Sequence, residues 1–387
     1  MKICMIGQKG IPTIYGGIER HVEELAKELA HKNQQVLVYA RSWYTPTNVK
    51  KIGSIRIIHT PCLKTKHLDA ITHTFTATLH ALTQKPDIVH YHGVGPSLMA
   101  FIPKLLLRRT KVVVTAHCLD RYHKKWGWFA RLVLRIGEWT SAVFSHQTIT
   151  VSKNLKSYYL NEYKKMTSYI PNGVNFEDKP MNSAIIEDKW NLTPKKYVVM
   201  ISRLVRHKGA HYLIDAWQFA KTMYPKLFNG YKLVIVGGSN YTDDYVKELK
   251  TMARGNSSII FTGWQSGQTL KELYANATIL VHPSENEGLP LTVLQAMSFA
   301  TPVLVSDINE HKELITDSRF WFQNANVASL SEKLIELFKN EKLTLESGIT
   351  NQANARQNFD WADIASQTAS LYEHLHKKCA TECACRV

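Results

Sequence analysis

The chain has 387 residues, 44% of them hydrophobic, and a formal net charge of +16. That length suits two domains of roughly 100–200 residues, each able to bury a core. Six cysteines are too few for a disulfide framework, and no run of about 18 apolar residues is present to span a bilayer.

The opening Met1-Lys2-Ile3-Cys4-Met5-Ile6-Gly7 reads as a buried strand ending in a glycine turn, not as a secretory signal. A cytoplasmic protein in a reducing compartment is therefore expected. A helix follows over Ile18–His31, with Val22, Leu25, Ala26 and Leu29 on one face. The loop between strand and helix ends in Gly16-Gly17. Paired glycines let the backbone approach an anion, and the free N–H groups of a helix start favour phosphate. The spacing is neither G-x-G-x-x-G nor a P-loop, and by itself the pair serves a tight turn equally well. Further strands are expected over Gln35–Ala40, Ile55–His59, Asp87–His90, Lys111–His117 and Thr148–Val151. His117 sits at a strand end, where a core histidine and a site histidine have equal claim. Pro171-Asn172-Gly173 is a turn signal, and the polar, aperiodic stretch 176–196 reads as a linker after a first domain over 1–175.

The second half repeats the alternation, with strands expected over Tyr197–Ser202, Lys232–Gly237, Ser258–Thr262, Thr278–His282 and Pro302–Ser306. Near-continuous Val/Ile/Leu runs separated by helical patterns imply parallel sheets covered on both faces, the doubly wound α/β class. After the first of these strands come Arg203, Arg206 and Lys208, within one turn of each other. Ligands bind at such strand ends, and Arg or Lys can neutralise a departing diphosphate. A solvated basic loop is the competing reading. After Thr278–His282 comes Glu287-Gly288-Leu289, with Gln295 eight positions on from Glu287 along a helix expected over Leu291–Phe299. A carboxylate suits sugar hydroxyls because it accepts two hydrogen bonds in a fixed plane. This second domain is placed at 197–360, with a last helix over 361–378 crossing back to the first domain. A tail, 379–387, carries Cys379, Cys383 and Cys385.

Taken together and in order, Gly16-Gly17, Pro171-Asn172-Gly173-Val174, Ser202-Arg203-Leu204 with Lys208-Gly209, and Glu287-Gly288…Gln295-Ala296-Met297 resemble the retaining family 4 glycosyltransferases of the GT-B fold. Thr115-Ala116-His117-Cys118-Leu119-Asp120-Arg121 with Lys125-Trp126-Gly127 is similar to a bacterial branch that includes rhamnosyltransferases. The resemblance implies two Rossmann-like domains facing across a cleft, and metal-independent transfer from a nucleotide-diphosphate sugar without a separate cofactor. The acceptor it implies is a glycan or lipid-linked molecule in polysaccharide synthesis. It assigns Gly16, Gly17 and the amides around Leu289 to the donor phosphates and Arg203 and Lys208 to the leaving diphosphate. It assigns His117 and Glu287 to the transferred sugar, and Asn172 and Gly288 to the lining of the donor site. Gln295 stands where the family usually has a second glutamate for the ribose hydroxyls; it keeps the hydrogen bonds without the charge. A nucleotide-sugar epimerase and a non-catalytic nucleotide-sugar-binding subunit are the alternatives on the same fold.

Charge is divided unevenly. Residues 1–175 carry 25 Lys and Arg against 9 Asp and Glu, whereas 176–387 carry 23 of each. In the first half Lys104, Arg108, Arg109, Lys111, Lys124, Lys125, Arg131 and Arg135 accompany Trp126, Trp128 and Phe129. A basic helix with aromatics suits an anionic membrane surface, and peripheral attachment is expected. Nucleic acid is not an expected partner, since no recognition motif accompanies the charge.

Overall fold

The computed structural model describes residues 1–65, 68–119, 121, 127–177, 181–239 and 242–384, the side chains of the last helix only as far as 377. Lys124, Lys125, Trp126, Asp120 and the cysteine tail therefore lie outside the described residues or side chains. The chain forms two compact units, 1–173 joined by 361–387, and 174–360.

Among the described residues the first unit is built on eight strands: β1 (Lys2–Ile6), β2 (Gln35–Ala40), β3 (Lys51–Ile52), β4 (Ile55–His59), β5 (Ile88–His92), β6 (Lys111–Ala116), β7 (Gln147–Thr150) and β8 (Ser168–Tyr169). They lie in the order β3-β4-β2-β1-β5-β6-β7-β8, and every pair except β3–β4 is parallel. The central strands are buried at almost every residue, which is why their sequences run apolar instead of alternating. Helices α1 (Gly17–His31), α2 (Asp69–Gln84), α3 (Phe101–Leu106), α4 (Trp128–Val143) and α5 (Lys153–Tyr163) make the crossovers. From β1 the chain moves to β2 on one side, and later to β5 on the other. Right-handed crossovers in opposite directions put α1 on one face of the sheet and α2, α3 and α4 on the other.

The second unit holds β9 (Tyr197–Ile201), β10 (Lys232–Val236), β11 (Ile259–Gly263), β12 (Ile279–His282), β13 (Val303–Ser306) and β14 (Trp321–Phe322) in the all-parallel order β11-β10-β9-β12-β13-β14. Its helices are α6 (Ala184–Trp190), α7 (Ala210–Met223), α8 (Asp243–Met252), α9 (Gly267–Ala275), α10 (Leu291–Ser298), α11 (Asn309–Lys312), α12 (Val327–Lys339) and α13 (Glu341–Asn358). The stretch expected to be a free linker, 176–196, is part of this unit. It contains α6, whose Ile186 is fully buried. The Ile185 amide donates to Glu272 of α9 at 3.0 Å, and Asn276 donates to the Asn182 carbonyl at 2.8 Å. One buried apolar residue in a seven-residue helix leaves no period to detect.

The last helix, α14 (Trp361–Ala384), belongs to the first unit. Trp361, Ile364, Ala365 and Tyr372 join the core cluster of β1, β2 and α1. Gly173 is the platform for Trp361: a Cβ there would lie 2.5 Å from the indole. Farther along α14, the Tyr372 hydroxyl meets His90 Nδ1 at 2.6 Å. Trp361→Ala should therefore destabilise the first unit by about 3–5 kcal/mol, measurable as a lower midpoint in urea unfolding. A midpoint equal to the parent's would show that α14 is not anchored there.

Candidate active site

In both units the side chains of interest gather where the strand order reverses. Chains leaving two adjacent parallel strands in opposite directions open a crevice at their carboxyl ends, the usual ligand position in open α/β sheets. In the first unit the reversal lies between β1 and β5, and in the second between β9 and β12.

The second unit's crevice holds an ion pair. His282 is the last residue of β12, and Glu287 lies in the loop after it. The short turn Arg206–Lys208 follows β9 and ends at Gly209, whose φ of +75° and approach to Pro283 leave no room for a side chain. That close packing delivers Lys208 to Glu287, and the two form a salt bridge whose side chains are 13% and 10% exposed. His282 Nε2 lies 2.7 Å from the same carboxylate oxygen, Oε1. A carboxylate only accepts, so His282 donates from Nε2. Behind it, the His311 ring lies 5.3 Å from His282, with Nδ1 2.9 Å from the Ser306 carbonyl. A carbonyl also only accepts, so His311 carries its proton on Nδ1.

Burial alone would raise the Glu287 carboxyl's pKa, but the charge of Lys208 and the hydrogen bond from His282 outweigh it and hold the group well below its usual range. Burial and the neighbouring His282 push His311 down to about 3. The result is a fixed, ionised carboxylate whose protein contacts fall on Oε1, leaving Oε2 to accept from a ligand. Arg203, just past β9, is half-buried and has no side-chain partner among the described residues. Arg206 is engaged elsewhere, with Glu248. Gln295 on α10 accepts a hydrogen bond from the Tyr274 hydroxyl at 2.9 Å, which leaves its amide N–H groups as donors. Gly288 and Leu289 are buried directly ahead of α10.

The first unit's crevice is a nest of histidines. His117 follows β6, and its Nε2 lies 3.4 Å from Nδ1 of His92, the last residue of β5. His21 of α1 packs edge-on against His117 at 4.6 Å between ring centres, and its Nδ1 meets Asn172 Oδ1 at 2.9 Å. Trp361 covers His21 at 5.3 Å. Below them His90 is held between Thr115 at 2.7 Å and Tyr372. Burial is the main reason that all four imidazoles resist protonation, with His21 lowered to about 4 and His90 to about 3. Neutral rings in contact can relay or accept hydrogen bonds but do not supply charge.

Gly16 caps α1 with φ +110°, and a Cβ there would meet Glu19 Oε2 at 1.9 Å. The Glu19 carboxylate also accepts the Lys9 amide at 3.0 Å. The left-handed φ at 16 therefore favours glycine, since the Glu19 carboxylate could swing aside from a Cβ, and one loop amide is already taken by that carboxylate. Gly17 opens α1 beside it.

Among the described residues, two groups have the ligand types of a metal site: His21, His92 and His117, and His282, Glu287 and His311, each with ligand atoms within 4.8 Å of one another. In the second group the Lys208 ammonium already neutralises the carboxylate. Sequence reasoning singled out His117, Asn172, Lys208 and Glu287, but not His21, His90, His92, His282 as a partner, or His311. The signal available for His90, His92 and His282 was a histidine within or ending an otherwise apolar strand.

A family model described as Glycosyltransferase Family 4 matches residues 15–178, and one described as Glycosyl transferases group 1 matches 182–355. The chain belongs to the glycosyltransferases of the GT-B type. Similar sequences include an uncharacterised glycosyltransferase of Methanocaldococcus jannaschii, 26% identical over 96% of this chain and 98% of that one. Another is an alpha-maltose-1-phosphate synthase of Mycolicibacterium smegmatis, 24% identical over 96% and 99%. Among solved structures, a sucrose-phosphate synthase from Thermosynechococcus elongatus superposes with a TM-score of 0.82 at 18% identity, covering 97% of this chain and 99% of that one. Anabaena HepE in complex with UDP and glucose gives 0.77 at 19% identity, covering 97% and 100%. These likenesses establish the glycosyltransferase's fold.

The buried groups of the glycosyltransferase make its stability depend on pH. Between about pH 6.5 and 4 the unfolded histidines protonate while His21 and His90 stay neutral in the folded chain, so stability falls as pH falls. Below the ordinary Glu value of 4.5, Glu287 adds to the loss, because its folded carboxyl stays ionised while the unfolded one takes a proton. The melting temperature should decline steadily from pH 7 to pH 4, and His21→Gln should make that decline shallower. A flat profile for the parent would contradict the buried neutral cluster.

Proposed function

We propose that the protein is a retaining glycosyltransferase that moves a hexosyl or deoxyhexosyl group from a nucleoside-diphosphate sugar to a glycan or lipid-linked acceptor in cell-surface polysaccharide synthesis. The observation that carries the reading is the second unit's crevice, where a buried ionised carboxylate is paired with its lysine at the strand-order reversal, and Arg203, which has no side-chain partner among the described residues, follows directly on β9. A nucleoside-diphosphate sugar has the matching chemistry: hydroxyls for the carboxylate and a diphosphate for the cations.

On this reading Glu287 Oε2 accepts from hydroxyls of the transferred sugar, and its orientation is fixed by His282 and Lys208. Arg203 binds the diphosphate in two-pronged fashion and Lys208 as a point charge. Both gain in importance as the sugar–phosphate bond breaks and negative charge grows on the leaving oxygen. These two cations take the charge-neutralising role without a metal ion or other cofactor. The amides around Gly288 and Leu289 face the phosphates, and Gln295, steadied by Tyr274, donates to the ribose hydroxyls. The assignment of Gly16, Gly17, His117 and Asn172 to the donor and its sugar rests on the family resemblance alone. Retention of configuration and a deoxyhexose such as rhamnose rest on the family resemblance. Support for the donor and acceptor classes comes from relatives. HepE is described in complex with UDP-glucose, and a Campylobacter jejuni relative, 28% identical over 60% of this chain, is an N-acetylgalactosaminyltransferase acting on a diphospho-undecaprenol sugar. We place the reaction in the cytoplasm.

A panel of nucleotide sugars should contain one that raises the melting temperature; at 100 times its Kd a ligand adds about 2.7 kcal/mol. With that donor, Arg203→Ala should lower kcat about a hundredfold while the melting temperature of the unliganded protein stays the same. Product analysis by NMR should show the anomeric configuration of the donor. Donor binding without transfer to any acceptor would favour the non-catalytic reading, and unchanged turnover in Arg203→Ala would remove the arginine from the mechanism.

A further inference from the structure

The face of the first unit formed by α2, α3 and α4 carries an unusual load of exposed apolar side chains. On α4 the stripe runs Trp128, Leu132, Ile136, Trp139 and Val143, at three- and four-residue steps that keep one side of a helix. Trp128 is 78% exposed, and Phe129 beside it 65%. The stripe continues onto α3, because the Trp139 ring packs edge-on against Phe144 at 5.7 Å and Phe144 against Phe101 at 6.0 Å. There Leu105 and Leu106 are 66% and 64% exposed. On α2, Ile71, Phe75 and Leu79 repeat the pattern at four-residue steps. Single exposed apolar residues are ordinary; a contiguous apolar face over three helices marks an interaction surface.

The charge of this face says what covers it. Arg131 and Arg135 are exposed along α4 and have no side-chain partner among the described residues. Arg108 and Arg109 are exposed just past α3. The one carboxylate of α4, Glu138, is fully buried, where Arg121, Tyr158 and Tyr163 hold it. The helix thus presents aromatics and arginines outward and draws its only acid inward. Lys111 is no part of the face, since it is buried at the start of β6, a correction to its place among the surface cations expected from sequence. No helix among the described residues is long and apolar enough to cross a bilayer.

We infer that this face seats the protein on an anionic lipid bilayer, with the α4 aromatics entering the headgroup–acyl boundary and Arg131 and Arg135 meeting lipid phosphates. Tryptophan suits that depth because its ring is apolar with a polar edge. Protein partners of such a face would have to supply an acidic apolar groove; an anionic bilayer supplies both properties over any area. The inference stands apart from the identity of the donor, and its readout is binding, not sugar transfer.

Co-sedimentation with vesicles tests it. The parent should bind mixed phosphatidylglycerol–phosphatidylcholine vesicles far better than pure phosphatidylcholine, and binding should fall as salt is added. Arg131→Gln with Arg135→Gln should weaken binding about thirtyfold, two cations at the surface each contributing close to a factor of five. Trp128→Ser with Leu132→Ser should weaken it as well, and circular dichroism should report an unchanged fold for exposed positions. Absence of binding, equal binding to both vesicle types, or variants that bind like the parent would overturn the inference. So would a dimer of the parent, seen by sedimentation velocity, that the Trp128→Ser, Leu132→Ser variant dissolves.

Discussion

A parallel sheet has to reverse its winding direction somewhere if helices are to cover both of its faces, and at that point no crossover closes over the strand ends. The candidate site residues of this glycosyltransferase are placed by that constraint. β1 and β5 diverge in one unit, β9 and β12 in the other. The Gly16-Gly17 loop and the histidine nest sit at the first divergence, and Lys208, His282 and Glu287 at the second. The apolar strands supply rigidity, and the short loops at their ends convert it into fixed positions for charged groups.

The two crevices then solve the problem of buried polar groups differently. In the second unit, opposite charges meet: one carboxylate is shared by an ammonium and an imidazole, so burial does not neutralise it. A buried ion pair is a weak source of stability, but it holds an acceptor in one orientation. In the first unit there is no counter-charge among the four rings, and the imidazoles remain neutral because they are buried. Their contacts come from Asn172, Thr115 and Tyr372, three neutral partners from three parts of the chain.

How much of this was legible follows from what each signal depends on. The apolar runs of β1, β2, β6, β9 and β10 are visible because both sides of a parallel strand are covered. The two-residue strands β3, β8 and β14 were missed, since pairing and not composition defines them. α6 reads as linker in the sequence because Ile186 is its one fully buried residue. Lys208 and Glu287 could be named from motif resemblance, but their pairing is separated by 79 positions and needed the Gly209–Pro283 approach to appear. His21 looked like a polar residue on an amphipathic helix; only the tertiary structure turns it toward His117. Lys111 shows the converse, a cation that composition assigned to the surface and strand geometry buried.

Trp361 and Tyr372 have a consequence for the order in which the protein is made. The ribosome releases β1 to β8 first, but the side chains that close the core over Val22 and Leu25 and support His21 and His90 are in α14, encoded after the whole of 174–360. Domains generally fold as units as they emerge. Here the later unit has all its segments before the earlier one does, and the histidine nest is assembled from segments that flank the second unit. The first unit's core is therefore completed only after the whole of 174–360 has been made, so a chain that stops before α14 lacks it however well its second unit has folded.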